Sequence, residues 1–371
     1  MKRLTLVSAI VLATLAPCAR SAHAQVCSAN NFVCITTTPA SQPALDALAA
    51  GLGMSTDQLT QQLISQVDGL FQATNVNSFL KDFQNAQSFS SKGLGVDYAS
   101  EATLAEVGAT LSFASNLDKA YKPSGSYTDP PISGGGANFS LMGGIGGGLV
   151  GFDPLMVFGN WFKGSASLGQ LDGSYHNWGL HGQLRLLGPS RKMSAVKMLV
   201  RWGGIAITSG ADYSHLSVST HKQISSTINV PSAMAGGQGA SIGLQSDVTG
   251  NLIFTLDQTT WSVPLEVTTS LRLLSLVTVY GGLGLDFQLG GGSKMNIVMD
   301  NATVTNKASG ATLGTVSVHA DGNVNPSPAR LREIVGVQLG ILDAIRLFLQ
   351  VNVTGGSPML TSVAGGLRLA I

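Results

Sequence analysis

The chain has 371 residues, of which only 11% are charged and 46 are glycine, and its formal net charge is +1. An ordinary soluble domain carries about 25% charged residues, so something other than water faces much of this surface, and the balanced charge gives no footing for a nucleic-acid partner. Beyond the first two dozen residues no run of about 18 apolar residues occurs, which excludes a helical span by length; a closed barrel is the remaining way to satisfy the backbone within lipid.

Residues 1–24 read as a secretory signal peptide. Lys2 and Arg3 lead an apolar run from Leu4 to Ala16, and Ala22-His23-Ala24 precedes Gln25, the expected mature N-terminus. A lipidated Cys18 is the alternative, disfavoured by Pro17 in the position where a small residue should stand. With Cys18 removed, Cys27 and Cys34 are left as an even pair in an oxidising compartment, and a small disulfide loop is expected. No third ligand accompanies them, so no metal is assigned.

Residues 25–90 form an N-terminal helical segment. Leu45, Leu48 and Leu52 make one stripe, Leu59, Leu63, Val67, Leu70 and Phe71 a second, and Phe79, Leu80 and Phe83 a third. Ser55 and Gln58 have the spacing of a capping box before the second. Three short helices are expected, able to plug a barrel.

Near Leu94 the period changes to two, and the pattern holds to the last residue, so 91–371 is assigned to the barrel. The clearest run sets Trp261, Val263, Leu265, Val267 and Leu271 against Ser262, Glu266, Thr268, Ser270 and Arg272, one face for lipid and one for water. Val277 to Leu289, Leu331 to Ile341, Ile345 to Val353 and Val363 to Ile371 repeat it. Weaker runs cover Val107–Phe113, Phe139–Ile145, Leu155–Trp161, Trp178–Leu186 and Val196–Trp202. A stretch from Leu94 to Ala99 is either a further strand or part of the plug. The sum is an all-β transmembrane antiparallel barrel of about 10–12 strands, alternatively about 14, even numbers being the rule.

Connections alternate in length. The joints at Leu273–Ser275 and Leu342–Asp343 are short and belong on the periplasmic side; the polar stretches Lys222–Val248 and Gly290–Pro328 are long and belong outside. Trp161, Trp178, Trp202 and Trp261 have outward parity and read as an aromatic girdle.

With these runs and the terminal strand Val363-Ala364-Gly365-Gly366-Leu367-Arg368-Leu369-Ala370-Ile371, the chain resembles the bacterial outer-membrane β-barrels over roughly Leu94 to Ile371. That resemblance implies an outer-membrane location, recognition of the last strand by the assembly machinery and embedding in the lipid bilayer. Such barrels usually end on an aromatic; this one ends on Ile371. Helices ahead of a glycine-rich barrel also resemble, in architecture alone, plugged transporters of hydrophobic compounds.

The candidate site is electrostatic. Arg185, Lys197, Arg272, Arg346 and Arg368 fall on inward faces near the periplasmic strand ends, forming a basic ring. Asp46, Asp57, Asp68 and Asp82 in the helical segment are the candidate acidic partners, and solvation of both sets at strand ends is the alternative. Ser174 and His176 share outward parity but lack any motif of a nucleophilic hydrolase, and no catalytic residue is assigned. His181, His215, His221 and His319 lack metal-ligand spacing, and the glycines at 143, 144 and 146–148 are not followed by the Lys-Ser or Lys-Thr of a phosphate loop, so no cofactor is assigned. The leading expectation is a channel or transporter for small solutes with a helical plug. The alternatives are a sealed barrel acting through its outer loops, or a secreted soluble β protein.

Overall fold

Alternation at period two predicts strands, and strands dominate the chain. A computed structural model describes residues 24–27, 33–37, 41–72, 76–99, 104–117, 135–188, 200–230, 244–274, 276–341, 344–355 and 359–370. The expected signal sequence, apart from Ala24, and Lys197 lie outside them. Short strands β1 (Ala24–Cys27) and β2 (Val33–Thr37) precede helices α1 (Gln42–Gly51), α2 (Thr56–Gln72) and α3 (Val76–Ser90). Next come β3 (Ala105–Asn116), β4 (Gly135–Gly146), β5 (Leu155–Leu168), β6 (Leu171–Leu187), β7 (Val200–Val230), β8 (Leu244–Leu273), β9 (Val277–Asn306), β10 (Thr312–Val324), β11 (Ala329–Ile341), β12 (Ile345–Thr354) and β13 (Leu360–Ala370). Among the described residues no helix is long and apolar enough to cross a membrane.

The chain divides into two compact units. One comprises the residues up to Gln72 with Lys222–Leu252 and Val298–His319. Its sheet runs β1-β2-β10-β9-β8-β7, with Thr315 opposite Thr36 and Lys307 N–H donating to the Gln245 carbonyl at 2.9 Å. Helices α1 and α2 cover one face: Leu45, Leu59 and Leu63 share a buried core with Ile35, Val248, Met299, Val316 and Val318. The expected capping box opens α2, Ser55 N–H donating to Gln58 Oε1 at 2.9 Å and Gln58 N–H to Ser55 Oγ at 3.2 Å. Cys27 lies directly opposite Cys34 in the β1–β2 register.

The other unit comprises Ala73–His221, Ile253–Ile297 and Ala320–Ile371. Its strands pair in the order β9-β11-β12-β13-β3-β4-β5-β6-β7-β8, and the β8–β9 pairing closes the ring. Among the described residues ten strands therefore form the closed wall, sealed where the last pairs with the first, Ala370 opposite Glu106. Burial follows the pleat with inverted chemistry. Val335, Leu283 and Leu265 on the outer face are 58%, 56% and 44% exposed, whereas Arg332 and Glu266 on the inner face are 0% and 1% exposed. That is the distribution of a barrel whose solvent is lipid.

Trp161 stands opposite Trp178 and Trp178 opposite Tyr213, while Trp261 packs on Tyr213 with ring centroids 4.7 Å apart. This row across β5–β8 marks one edge of the apolar band. Trp202, hydrogen-bonded to Thr269 at 2.8 Å, marks the other. The eight residue steps from Trp261 to Thr269 rise about 27 Å along the strand, or about 20 Å along the axis at ordinary barrel tilt, in keeping with the ~25 Å apolar band of such barrels.

Two sequence expectations need correction. The helical segment 25–90 begins with two strands, and it is divided, α1 and α2 belonging to the first unit and α3 to the second. The described residues of Lys222–Val248, 222–230 and 244–248, are strand, and Gly290–Pro328 is largely strand rather than loop, because β7, β8 and β9 run on and β10 comes after them. The period-two count fails in β9 because its buried positions change parity at Gly291 and again at Asn301, both with positive φ. Of the two readings open for Leu94–Ala99, the strand is excluded: the backbone there is irregular, and every residue from Ser91 to Ala99 is buried whatever its parity.

Candidate functional site

The inner face of the closed barrel is polar, and polar groups removed from water need partners. They find them in α3 and in the irregular segment Ser91–Ala99 after it. Gln87 on α3 donates through Nε2 to the Ala137 carbonyl on β4 at 3.1 Å and accepts from Ala137 N–H at 3.0 Å. Gln84 Nε2 donates to Thr260 on β8 at 3.3 Å, Asn85 accepts from Arg330 on β11 at 2.8 Å, and Ser88 accepts from Gln288 on β9 at 2.8 Å. The helix is thus fastened to strands around much of the ring.

The irregular segment bridges the lumen. On one side Lys92 donates to Ser262 of β8 and lies 3.9 Å from Asp212 of β7, while Gln183 of β6 donates to the Asp97 carbonyl at 3.2 Å and Ser270 of β8 to the Ala99 carbonyl at 3.2 Å. On the other, Arg346 of β12 reaches Asp97 Oδ2 at 3.2 Å, and Arg368 of β13 reaches Asp97 Oδ1 at 2.8 Å and the Val96 carbonyl at 2.5 Å. In the ring, β12–β13 and β6–β8 are separated by β3–β5 one way and by β9 and β11 the other. The segment adopts this path because Gly93 and Gly95 take φ of +73° and +87°, which other residues rarely adopt. Tyr98 packs its ring 5.9 Å from that of Tyr280.

Two further ion clusters complete the interior. Arg332 pairs with Glu266 and, at 3.0 Å, with Asp286, and donates to Asn352 at 2.9 Å. His181 Nε2 donates to Asp212 Oδ1 at 3.0 Å, since a carboxylate can only accept. All of these groups are at least 94% shielded from solvent, so each charge depends on its partner rather than on water.

Of the five expected basic residues, the structure brings together Arg346 and Arg368, direct partners across the β12–β13 ladder. Two like charges side by side repel, and Asp97 lies between them while Glu106 of β3 sits 3.7 Å from Arg346. Arg185 and Arg272 are half-buried on β6 and β8, each with its own partner. Of the expected acidic residues, Asp82 is buried and accepts from Asn116 of β3 at 3.1 Å. Asp46 and Asp57 are exposed, Asp46 accepting from Gln42 at 2.9 Å and Thr56 at 2.7 Å. Asp68 is carried by α2, outside the side chains described. His176 lies edge-on to Tyr213, 5.7 Å between centroids, and Ser174 is exposed.

Sequence reasoning missed Lys92, Asp97, Glu106 and Arg332. The signal that points to Arg332 is the inward parity of Glu266 and Asp286, two carboxylates on a shielded face that require a cation between them.

No curated protein sequence matches the chain. Among solved structures it is similar to the translocator domain of the autotransporter NalP from Neisseria meningitidis, at 12% identity over 77% of this chain and 93% of that one, TM-score 0.29. It is also similar to the transport unit of the autotransporter AIDA-I from Escherichia coli (8%, 80% and 99%, TM-score 0.28) and to the toluene transporter TbuX from Ralstonia pickettii (8%, 72% and 89%, TM-score 0.22). At scores this low none of the three informs function. A family model described as Lsa36-like matches residues 29–371, and the chain belongs to that family.

Proposed function

We propose that the protein is an outer-membrane channel for small solutes, closed in the state described by α3 and the segment Ser91–Ala99. The observation that carries this reading is that segment: nine buried residues of irregular backbone, held by polar bonds to opposite arcs of the wall and bent at two glycines. A barrel with a merely structural interior could fill it with side chains from its own strands. Here a separate piece of chain fills it, packing Val96, Tyr98 and Ala99 against Met156, Phe158 and Ile334 and fastening itself by hydrogen bonds and ion pairs that water or solute can replace. The reading includes export by the N-terminal signal, a Cys27–Cys34 disulfide and insertion by the assembly machinery through β13, and it assigns the chain no reaction.

Planar-bilayer conductance tests it. The wild-type chain should be closed or open rarely, and a double variant, Lys92→Met with Asp97→Asn, which removes the segment's ion pairs to both arcs of the wall, should conduct. A folded double variant that remains sealed would sink the channel reading.

A second reading is favoured by the first unit, whose own apolar core and six-stranded sheet are built partly from the continuations of β7, β8 and β9. In it the barrel is an anchor and that unit is the functional surface. The sealed outcome above supports it.

A further inference from the structure

Asp97 is the only carboxylate that touches both Arg346 and Arg368 in the ion pairs of the described residues. It is 0% exposed, and each of its oxygens takes one guanidinium, at 3.2 and 2.8 Å. Such a two-armed grip is how guanidinium groups recognise a carboxylate. The rest of the surroundings are built around it. Arg368 is held by Gln338 at 3.1 Å and lies over the Phe348 ring with 4.1 Å to the centroid, and Ala99 N–H donates to Asp97 Oδ1 at 3.0 Å. The wall alone offers two cations, Arg346 and Arg368, to one anion, Glu106, a local excess of one positive charge that Asp97 cancels. Arg368 Nε–H also has no hydrogen-bond partner, so a donor is left over even with Asp97 in place.

Asp97 is not part of the wall. It belongs to the bridging segment, whose backbone is turned just before it by Gly93 and Gly95. When the segment moves, the two arginines lose their anion in a site too shielded to leave them bare. We propose that the Arg346–Arg368 pair is a binding site for the carboxylate group of a small solute, and that Asp97 occupies it as a resident stand-in. This rests on the gated-channel reading for its consequence, that an incoming carboxylate competes with Asp97 and favours opening, but the site itself can be tested without conductance.

The test uses formate against its neutral isostere formamide. The full chain carrying Asp97→Ala is refolded in detergent with each, and folded yield and thermal midpoint are read. Formate should raise the yield and lift the midpoint by about 2 °C or more, as a ligand that binds the folded state does. Formamide should do neither, and Arg368→Gln added to Asp97→Ala should remove the effect. If formate changes neither readout, or the protein fails to fold even in its presence, the site is overturned. In parallel, wild-type protein in a bilayer should open several-fold more often with formate than with formamide. A formate effect on Asp97→Ala with no conductance in any variant would support the carboxylate site while sinking the channel. Conductance from Lys92→Met with Asp97→Asn, without a formate effect on Asp97→Ala, would do the reverse.

Discussion

The two units of this chain solve the same problem with opposite chemistry. In the first, Ile35, Leu59, Leu63 and Val316 are inside and Asp46 and Asp57 outside, as water demands. In the barrel, Arg332, Arg346 and Arg368 are inside and Leu265, Leu283 and Val335 outside. The difference teaches that burial says nothing about polarity until the solvent is named. One unit is stabilised by removing apolar surface from water. The other, whose outer face gains little from its neighbours in lipid, depends for its interior on polar groups satisfying one another.

Substitutions at four positions would break or sharpen that contrast. The largest effect is expected from Arg332→Met, which leaves Glu266 and Asp286 buried without their cation and should cost about 3–5 kcal/mol; denaturant unfolding in detergent checks it. Leu59→Ala, by contrast, opens a cavity in the first unit and should cost about 2–5 kcal/mol, read as faster hydrogen exchange in α2 and β2 with the barrel amides unchanged. On the outer face Leu265, midway between the Trp261 and Trp202 levels, should tolerate alanine far better than Leu59 does. Its replacement by arginine should cost about 2–4 kcal/mol when folded into a bilayer, and a neutral result there would place the band elsewhere. The smallest effect is Ser55→Ala, which removes half of the capping box at the start of α2 and should lower the first unit's stability by about 1 kcal/mol.

The same contrast decides how much of the molecule is legible in its sequence. Where lipid lies on one side and a polar interior on the other, as in β8, β12 and β13, alternation is unambiguous and the strands can be read directly. Ser55 and Gln58 likewise announce α2 because a capping box is local. The first unit's strands are harder. The continuations of β8 and β9 carry serine, threonine and asparagine in numbers that read as loop, and two parity changes in β9 hide the apolar positions Met299 and Val304 from a period-two count. Parity finds the two arginines at the centre of the site but not their partner. Asp97 sits in Leu94-Gly95-Val96-Asp97-Tyr98, whose alternation imitates a strand, and only the fold places it across the lumen. Glu106 is hidden by the weakness of β3, a run in which alanine and serine interrupt the large apolar positions.

The seam of the barrel limits how far its filling can travel. The bridging segment continues into the first strand of the ring, and from Ala99 to Ala105 the chain has a contour length of about 20 Å even when fully drawn out. At the other end it is joined to α3, itself pinned to β4, β8, β9 and β11. Unlike a free peptide, the filling is leashed to the strand it must clear. Were the segment to move as proposed, Asp97 could not be lost to the bulk, and its carboxylate would stay at high effective concentration near Arg346 and Arg368.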